Sequence, residues 1–215
     1  PRWRDVANTA EQRLTGANIF QLLVVSVAVI AHVVAFWPTT PTSIGSDWDI
    51  VGCDVGQGDM FLIRTGADSA MVIDTGPEPE LARQCLKAAG VEHLDLVIVT
   101  HLHADHVGGI QGVLDIASPQ TIMFSTGADE NYSSGSTDLP ETAQRVDQPM
   151  TGIIDHAQHD LEHAVQLRWS ILSADSSASN ENNASIVLYL ELYRHGGVTT
   201  ALFTGDLEQD GAAEL

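Results

Sequence analysis

The sequence predicts an α/β fold in which short apolar strands alternate with helices. Residues 94–99 form a run of Leu, Val and Ile interrupted only by Asp95, the composition of a buried strand. Residues 80–89 instead have a helical pattern that ends at Gly90, and glycine commonly follows the last turn of a helix. With 215 residues, 44% of them hydrophobic, the chain can form one large domain, or one domain and an appendage.

The first predicted element is a transmembrane helix over residues 17–37. This stretch contains no charged residue, and its length matches the ~20 apolar residues that a membrane-spanning helix needs. A secretory signal peptide and a buried core helix are the alternatives. Arginines precede the helix and none occurs in residues 38–49. The positive-inside rule therefore predicts that residues 1–16 are cytoplasmic and that the following domain lies outside the membrane.

A linker and a single large domain are predicted after this helix. Residues 38–46 are rich in Pro and Thr, which is typical of a linker. Residues 47–215 are predicted to form the domain, with a second helix over 107–116. Its predicted strands cover residues 48–54, 60–64, 70–74, 94–99, 121–124, 166–172, 184–192 and 198–203.

Residues 101–106 place three histidines and a carboxylate directly after the strand at 94–99. His101 and His103 are two residues apart, so in an extended segment they point the same way and can bind one metal ion. Asp105 and His106 follow as the chain turns, so they can face a second site beside the first. The alternative is a polar loop with surface histidines.

A second carboxylate follows the strand-like run at 198–203, in the pair Gly205-Asp206. Strand ends meet at one edge of a sheet, so Asp206 can reach the site of the histidines. One carboxylate can bridge two metal ions roughly 3.5–4 Å apart, as in two-metal hydrolysis. Two divalent ions, zinc or manganese, are therefore predicted. The predicted metal ligands are His101, His103, Asp105, His106 and Asp206.

At these residues the chain resembles the metallo-β-lactamase superfamily, through the pattern His-x-His-x-Asp-His and the later Asp. Further segments resemble the lactamase-like domain of the ComEC family, the membrane channel proteins of DNA uptake in competent bacteria. They are residues 54–59 (Asp-Val-Gly-Gln-Gly-Asp), 74–76 (Asp-Thr-Gly), 182–185 (Asn-Asn-Ala-Ser) and 204–208. The resemblance covers about residue 48 to the C-terminus. It implies an αββα sandwich, in which two mixed sheets pack face to face with helices outside.

The resemblance also implies roles around the metals. Asp105 would orient the attacking water, which makes it the predicted catalytic residue. Asp74 would accept the spare N–H of a metal-bound histidine. The residues predicted to orient ligands or to contact substrate are Asp54, Gln57, Asp59, Asp74, Asn183 and Ser185. The alternative for the aspartates is a turn-forming role, and Asn-rich turns before strands are ordinary.

The chain departs from the superfamily pattern at two histidine ligands. One is often found between the first cluster and the bridging aspartate, where this chain has residues 182–185. Another generally follows that aspartate, but no histidine follows His195 here. We expect a C-terminally truncated domain that binds the second metal weakly, and a natural protein that continues past Leu215.

By resemblance the domain is a nuclease for DNA, degrading one strand while the other enters the channel. The implied partners are DNA, the membrane and the remaining domains of the same channel protein, with the catalytic domain on the non-cytoplasmic side. The net charge of −20 argues that this domain alone binds DNA weakly. One alternative is a hydrolase for a small thioester, lactone or phosphodiester. Another is a catalytically silent domain that gates or scaffolds a DNA channel.

The two cysteines, Cys53 and Cys85, fall in a predicted strand and a predicted helix with apolar neighbours. We expect two buried thiols. A disulfide, which requires an oxidising compartment, is the alternative.

Overall fold

A computed structural model of the chain describes residues 16–35, 43–128, 139–156, 165–194 and 196–213. The chain divides into two units, Pro1–Thr42 and Ser43–Leu215. The described residues of the first unit form helix α1 (Gly16–Ala35), close to the bounds predicted from the sequence. None of the helices in the described ranges is long and apolar enough to cross a membrane, so the prediction of a transmembrane helix over 17–37 is not supported.

The second unit holds the predicted alternation of strands and helices. Its strands are β1 (Ile50–Gly52), β2 (Phe61–Arg64), β3 (Ser69–Ile73), β4 (His93–Val99), β5 (Thr121–Phe124), β6 (Gln144–Arg145), β7 (Met150–Asp155), β8 (Val165–Ser173), β9 (Val187–Arg194) and β10 (Gly197–Phe203). Its helices are α2 (Pro79–Ala88), α3 (Ala104–Val107), α4 (Ile110–Leu114) and α5 (Gln209–Ala212), with a 3-10 turn at Asn182–Ala184.

Two sheets form from the described strands. The first has the order β1-β2-β3-β4-β5-β6, and the second the order β10-β9-β8-β7. In the first sheet, β3 to β6 are parallel, while β1 and β2 are antiparallel to their neighbours. The second sheet is antiparallel throughout. The parallel strands all end at the same edge, so the segments that follow β3, β4 and β5 lie next to one another.

The two sheets pack face to face through one apolar core. Buried side chains of the first sheet, such as Ile73 and Ile98, share this core with Leu167 and Leu188 of the second. A second core lies on the other face of the first sheet, where α2 and α4 cover β3 and β4. The described residues therefore form a mixed α/β fold of helix, sheet and sheet layers. The outer helical layer on the second sheet remains a prediction of the αββα arrangement.

The structure corrects several element boundaries. Strands β6 and β7 were not predicted, because residues 139–156 are mostly polar and both strands lie at sheet edges. The helix predicted over 107–116 is instead two short helices, α3 and α4, separated by Gly108 and Gly109. A side chain at Gly108 would press against the backbone oxygens of Ala104 and Pro77. Glycine at this position therefore lets the backbone between α3 and α4 lie close to the segment after β3.

The expectation of two buried thiols is wrong, because Cys53 and Cys85 form a disulfide. Their Cα atoms are 5.8 Å apart, within the usual range for bridged cysteines. Cys53 lies directly after β1 and Cys85 lies on α2, and neither side chain is fully buried. Sequence alone did not show that this helix packs over the end of β1. The bridge fixes the start of the glycine-rich turn at residues 54–59 to α2.

Candidate metal centre

The histidine segment lies at the edge of the first sheet where the parallel strands end. It begins after Val99, the last residue of β4, and His103 precedes the first turn of α3. His101 and His106 are buried, whereas His103 and Asp105 are half-exposed. The extended backbone between the strand and α3 leaves His101 and His103 side by side, as their spacing predicts.

The facing nitrogens of His101 and His103 form the first donor pair. His101 Nε2 lies 3.0 Å from His103 Nδ1, and the two rings meet edge to face with centroids 4.8 Å apart. The ring centroid of His106 is 4.1 Å from that of His101. All three imidazoles therefore lie close together at the edge of the first sheet where the parallel strands end.

The second donor pair joins α3 to the segment after β10. His106 Nε2 is 3.5 Å from Asp206 Oδ2 and 4.0 Å from Asp105 Oδ1. Ligand atoms of His101, His106 and Asp206 all lie within 4.8 Å of one another. The structure thus brings together the five predicted metal ligands from two segments about a hundred residues apart in sequence.

The donor set fits a divalent metal. Two ligand atoms bound tetrahedrally to zinc at ~2.0–2.1 Å are separated by about 3.3 Å. The distances from His101 Nε2 to His103 Nδ1 and from His106 Nε2 to Asp206 Oδ2, 3.0 and 3.5 Å, bracket that value. Imidazole nitrogen with carboxylate oxygen is the donor combination that zinc and manganese accept.

Asp74 orients His106 from the side away from the other ligands. Its Oδ2 atom lies 2.9 Å from His106 Nδ1, and its carboxylate also accepts hydrogen bonds from the backbone N–H and the hydroxyl of Thr100. Asp74 has φ 55°, in the left-handed region that non-glycine residues rarely adopt. The hydrogen bond between Asp74 and His106 leaves His106 Nε2 facing the carboxylates of Asp105 and Asp206.

Burial and charge act in opposite directions on this pair. Burial raises the pKa of Asp74, and the hydrogen bonds from His106 and Thr100 oppose that rise. Burial lowers the pKa of His106, but the hydrogen bond to Asp74 and the charges of Asp74, Asp206 and Asp105 together raise it to about 9. In the metal-free protein His106 is therefore a cation among carboxylates, and a metal ion must displace its Nε2 proton.

Two hydroxyls orient His101. Thr100 Oγ1 and Ser185 Oγ each lie 3.2 Å from His101 Nδ1. The Thr100 hydroxyl already donates to Asp74, so it can only accept a hydrogen bond from His101 Nδ1–H. The lone pair of His101 Nε2 is then available to bind a metal ion. Burial, with the neighbouring charges of His106 and His103, lowers the pKa of His101 to about 3 and keeps it neutral. Thr100 is not among the predicted site residues, and its only signal in the sequence is its position directly after β4.

Ser185 and Asn183 contact the two ligand segments. Besides its contact with His101, Ser185 Oγ accepts the backbone N–H of Asp206 at 3.2 Å. Asn183 Oδ1 accepts the backbone N–H of Glu208 at 3.1 Å. Asn180 and Asn182 donate to the Glu208 carboxylate. These contacts favour a positioning role over the alternative of substrate binding for Asn183 and Ser185.

The glycine-rich turn brings only one of its three candidate residues to the site. Carboxylate oxygens of Asp59 and Asp74 lie within 4.8 Å of each other and of a His106 nitrogen. The backbone N–H of Asp59 also donates to the Asp105 carbonyl. Asp54 and Gln57 are exposed, and neither forms a side-chain hydrogen bond within the described residues. Asp59, Thr204 and Phe203 border a cavity of about 170 Å³ beside the centre.

Replacing Gly58 with alanine should displace Asp105 and weaken the site. Gly58 has φ +93°, and a Cβ there would overlap the backbone oxygen of Asp105. Gly56 is the matched control, because it has φ +81° but open space around a Cβ. Backbone strain is therefore common to both variants, and Gly58→Ala should cost about 1–3 kcal/mol more from overpacking. Urea unfolding and zinc titration measure this; equal stability and affinity for the two variants would contradict the packing of the turn on Asp105.

The sequence of this chain is similar to those of known proteins. The family model described as "Metallo-beta-lactamase superfamily" matches residues 53–163. ComE operon protein 3 of Bacillus subtilis (strain 168) is 27% identical over 80% of this chain and 24% of its own length. Beta-lactamase-like protein 2 homolog of Caenorhabditis elegans is 38% identical over 26% of this chain and 20% of its own length. The chain therefore spans about a quarter or less of these relatives.

Among solved structures, the metallo-beta-lactamase FIM-1 from Pseudomonas aeruginosa, in its mono-zinc form, shares 13% identity with this chain. The superposition covers 67% of this chain and 66% of that one, with a TM-score of 0.33.

Proposed function

This chain belongs to the metallo-beta-lactamase superfamily, and from that premise we propose that its domain is a metal-dependent nuclease that acts on DNA during competence-related DNA uptake. Superfamily membership supports a metal-dependent hydrolase with a divalent ion such as zinc. The resemblance drawn from the sequence motifs is confirmed by the similarity to ComE operon protein 3. The observation that carries the proposal is the convergence of His101, His103, His106 and Asp206 at one sheet edge.

The residues divide into ligands and residues that orient them. His101 and His103 would hold one ion, Asp105 and His106 a second, and Asp206 would reach both. A divalent ion bound there would act as a Lewis acid toward a substrate oxygen and would lower the pKa of a coordinated water. The half-exposed carboxylate of Asp105 would accept a hydrogen bond from the attacking water and orient it. Asp74 and Ser185 fix the imidazoles of His106 and His101 from behind.

DNA as the substrate rests on the resemblance to the ComEC family and not on the charge of this chain. With 29 acidic and 9 basic residues, the chain repels a polyanion at long range. The ions at the site, or other domains of a larger protein, would supply the attraction to phosphate. The acidity specifically favours the second candidate, a hydrolase for a small ester, lactone or phosphodiester.

A parallel assay of the zinc- and manganese-loaded chain separates the candidates. We expect cleavage of single-stranded DNA that stops when a chelator is added and resumes when the metal is restored. Turnover of small esters or lactones without DNA cleavage would support the small-molecule hydrolase. Stoichiometric metal without turnover of either class would support the catalytically silent channel domain.

Replacing Asp206 with asparagine should reduce turnover much more than stability. The shared position needs a negative charge between the ions, which an amide does not provide. Removing a residue that hydrogen-bonds to a metal ligand typically lowers metal affinity or activity 10–100-fold. Loss of the charge of a ligand itself should therefore lower turnover about 100-fold or more. Asp210→Asn, the same change on an exposed neighbour in α5, is the control. Initial rates at saturating metal measure the effect; equal rates for both variants would exclude Asp206 from the reaction.

We also propose that the domain lies on the non-cytoplasmic side of the cell membrane, as part of a larger protein. The disulfide between Cys53 and Cys85 supports this location, because such bridges form and persist in oxidising compartments. We expect protease added to intact cells to cleave the domain. Cleavage only after lysis would place the domain in the cytoplasm.

A further inference from the structure

Glu181 is a buried carboxylate that reaches the metal centre without belonging to its ligands. It is 3% exposed and lies directly before the 3-10 turn Asn182–Ala184. Within the described residues no Arg, Lys or His forms an ion pair with it. A buried carboxylate without a cation is costly unless hydrogen bonds satisfy its oxygens. Where its hydrogen bonds go therefore indicates what the residue does.

Both Glu181 oxygens accept hydrogen bonds from loops that follow the parallel strands. Oε1 accepts the backbone N–H of Leu102 at 2.9 Å. Oε2 accepts the backbone N–H of Gly127 at 2.9 Å and the hydroxyl of Thr126 at 3.2 Å. The carboxylate thus joins the loop after β4 to the loop after β5. Hydrogen bonds from N–H groups to an ionised, buried carboxylate are stronger than neutral ones.

The position of Leu102 makes the first of these bonds important. Leu102 lies between His101 and His103, and its side chain is itself buried. Holding its peptide N–H fixes the backbone on which both imidazoles are mounted. Ser185, which lies four residues after Glu181, contacts His101 and the backbone of Asp206. The segment from Glu181 to Ser185 therefore touches both halves of the donor set.

We propose that Glu181 is a positioning residue that presets the separation of the His101 and His103 donor atoms for metal binding. This inference rests on the proposed metal-dependent function. This role requires a carboxylate at position 181 and not merely a polar group, because both oxygens of Glu181 face N–H donors. A glutamine would turn its NH₂ group toward the N–H of either Leu102 or Gly127 and lose one of the two bonds.

The test compares Glu181→Gln with Glu92→Gln in the 215-residue chain. Glu92 is exposed and precedes β4, so the control makes the same chemical change away from the site. Zinc affinity is measured by chelator competition, and the visible spectrum of the cobalt-loaded protein reports the ligand geometry. We expect Glu181→Gln to weaken zinc binding about 10–100-fold and to alter the cobalt spectrum, while Glu92→Gln changes neither.

Unchanged affinity and an unchanged spectrum in a folded Glu181→Gln variant would overturn the proposal. If the variant does not fold, hydrogen exchange in the unchanged, metal-free chain decides instead. Slow exchange of the Leu102 amide, which lies between the two histidines, supports the proposal, and rapid exchange of that amide overturns it. These measurements need no DNA, so a failure of the nuclease assay alone would reject the proposed substrate and not the role of Glu181.

Discussion

Replacing His103 with alanine should remove tightly bound zinc while leaving the fold intact. His103 Nδ1 and His101 Nε2 are candidate metal-ligand atoms that lie 3.0 Å apart. The change removes one of these two ligand atoms. Zinc affinity should fall at least ~100-fold, because even the indirect partners of ligands are worth 10–100-fold. The side chain is half-exposed in a strand-end loop, so the unfolding free energy should change by less than about 1 kcal/mol. Metal analysis after gel filtration and urea unfolding measure the two effects.

His93→Ala is the matched control, since His93 starts the same strand, β4, at its opposite end and is exposed. It should retain the zinc content of the parent chain. Equal zinc in the His103 variant and the parent would refute the assignment of the histidine segment as the metal site.

Replacing Cys53 with serine should cause a large loss of stability. The bridge to Cys85 closes a loop with a sequence separation of 32. In the chain-entropy model, opening such a loop lowers the unfolding free energy by about 3–4 kcal/mol. Most single substitutions cost far less, so a clear fall in the denaturation midpoint is expected. Urea unfolding followed by circular dichroism under oxidising conditions measures it.

Three controls isolate the bridge itself. Cys85→Ser, the double variant and the reduced parent chain should all show the same loss, because each removes one shared constraint. A change below about 1 kcal/mol in Cys53→Ser, with the bridge verified in the parent by mass spectrometry, would contradict the entropic contribution. Additive losses in the double variant would show that the thiols act separately.

The residues of the candidate metal centre are easier to recognise from the sequence than the residues that support them. His101, His103 and Asp206 are recognisable because their residue types and their positions after strands both point to metal chemistry. Strand β4 and helix α2 were recognisable for similar reasons, since each has a clear pattern and a clear end. In each case the information is local to a few residues.

The features that were missed depend on contacts between distant segments. Glu181 is an ordinary acidic residue in a polar segment until folding buries it against Leu102, 79 positions away. The sequence predicts two thiols instead of the disulfide because nothing local shows that α2 packs over the end of β1. Strand β7 was missed because a strand at the edge of a sheet has little buried surface and a correspondingly weak pattern.

The left-handed backbone of Asp74 limits how this position can evolve. Glycine tolerates that conformation best but has no carboxylate, and glutamate, unlike aspartate, is not among the residues that adopt it readily. Asparagine tolerates the conformation too, yet offers one oxygen where His106 and Thr100 require two. A single-site library at position 74, selected for activity, should therefore return aspartate almost alone, and no neutral intermediate would connect it to another residue type.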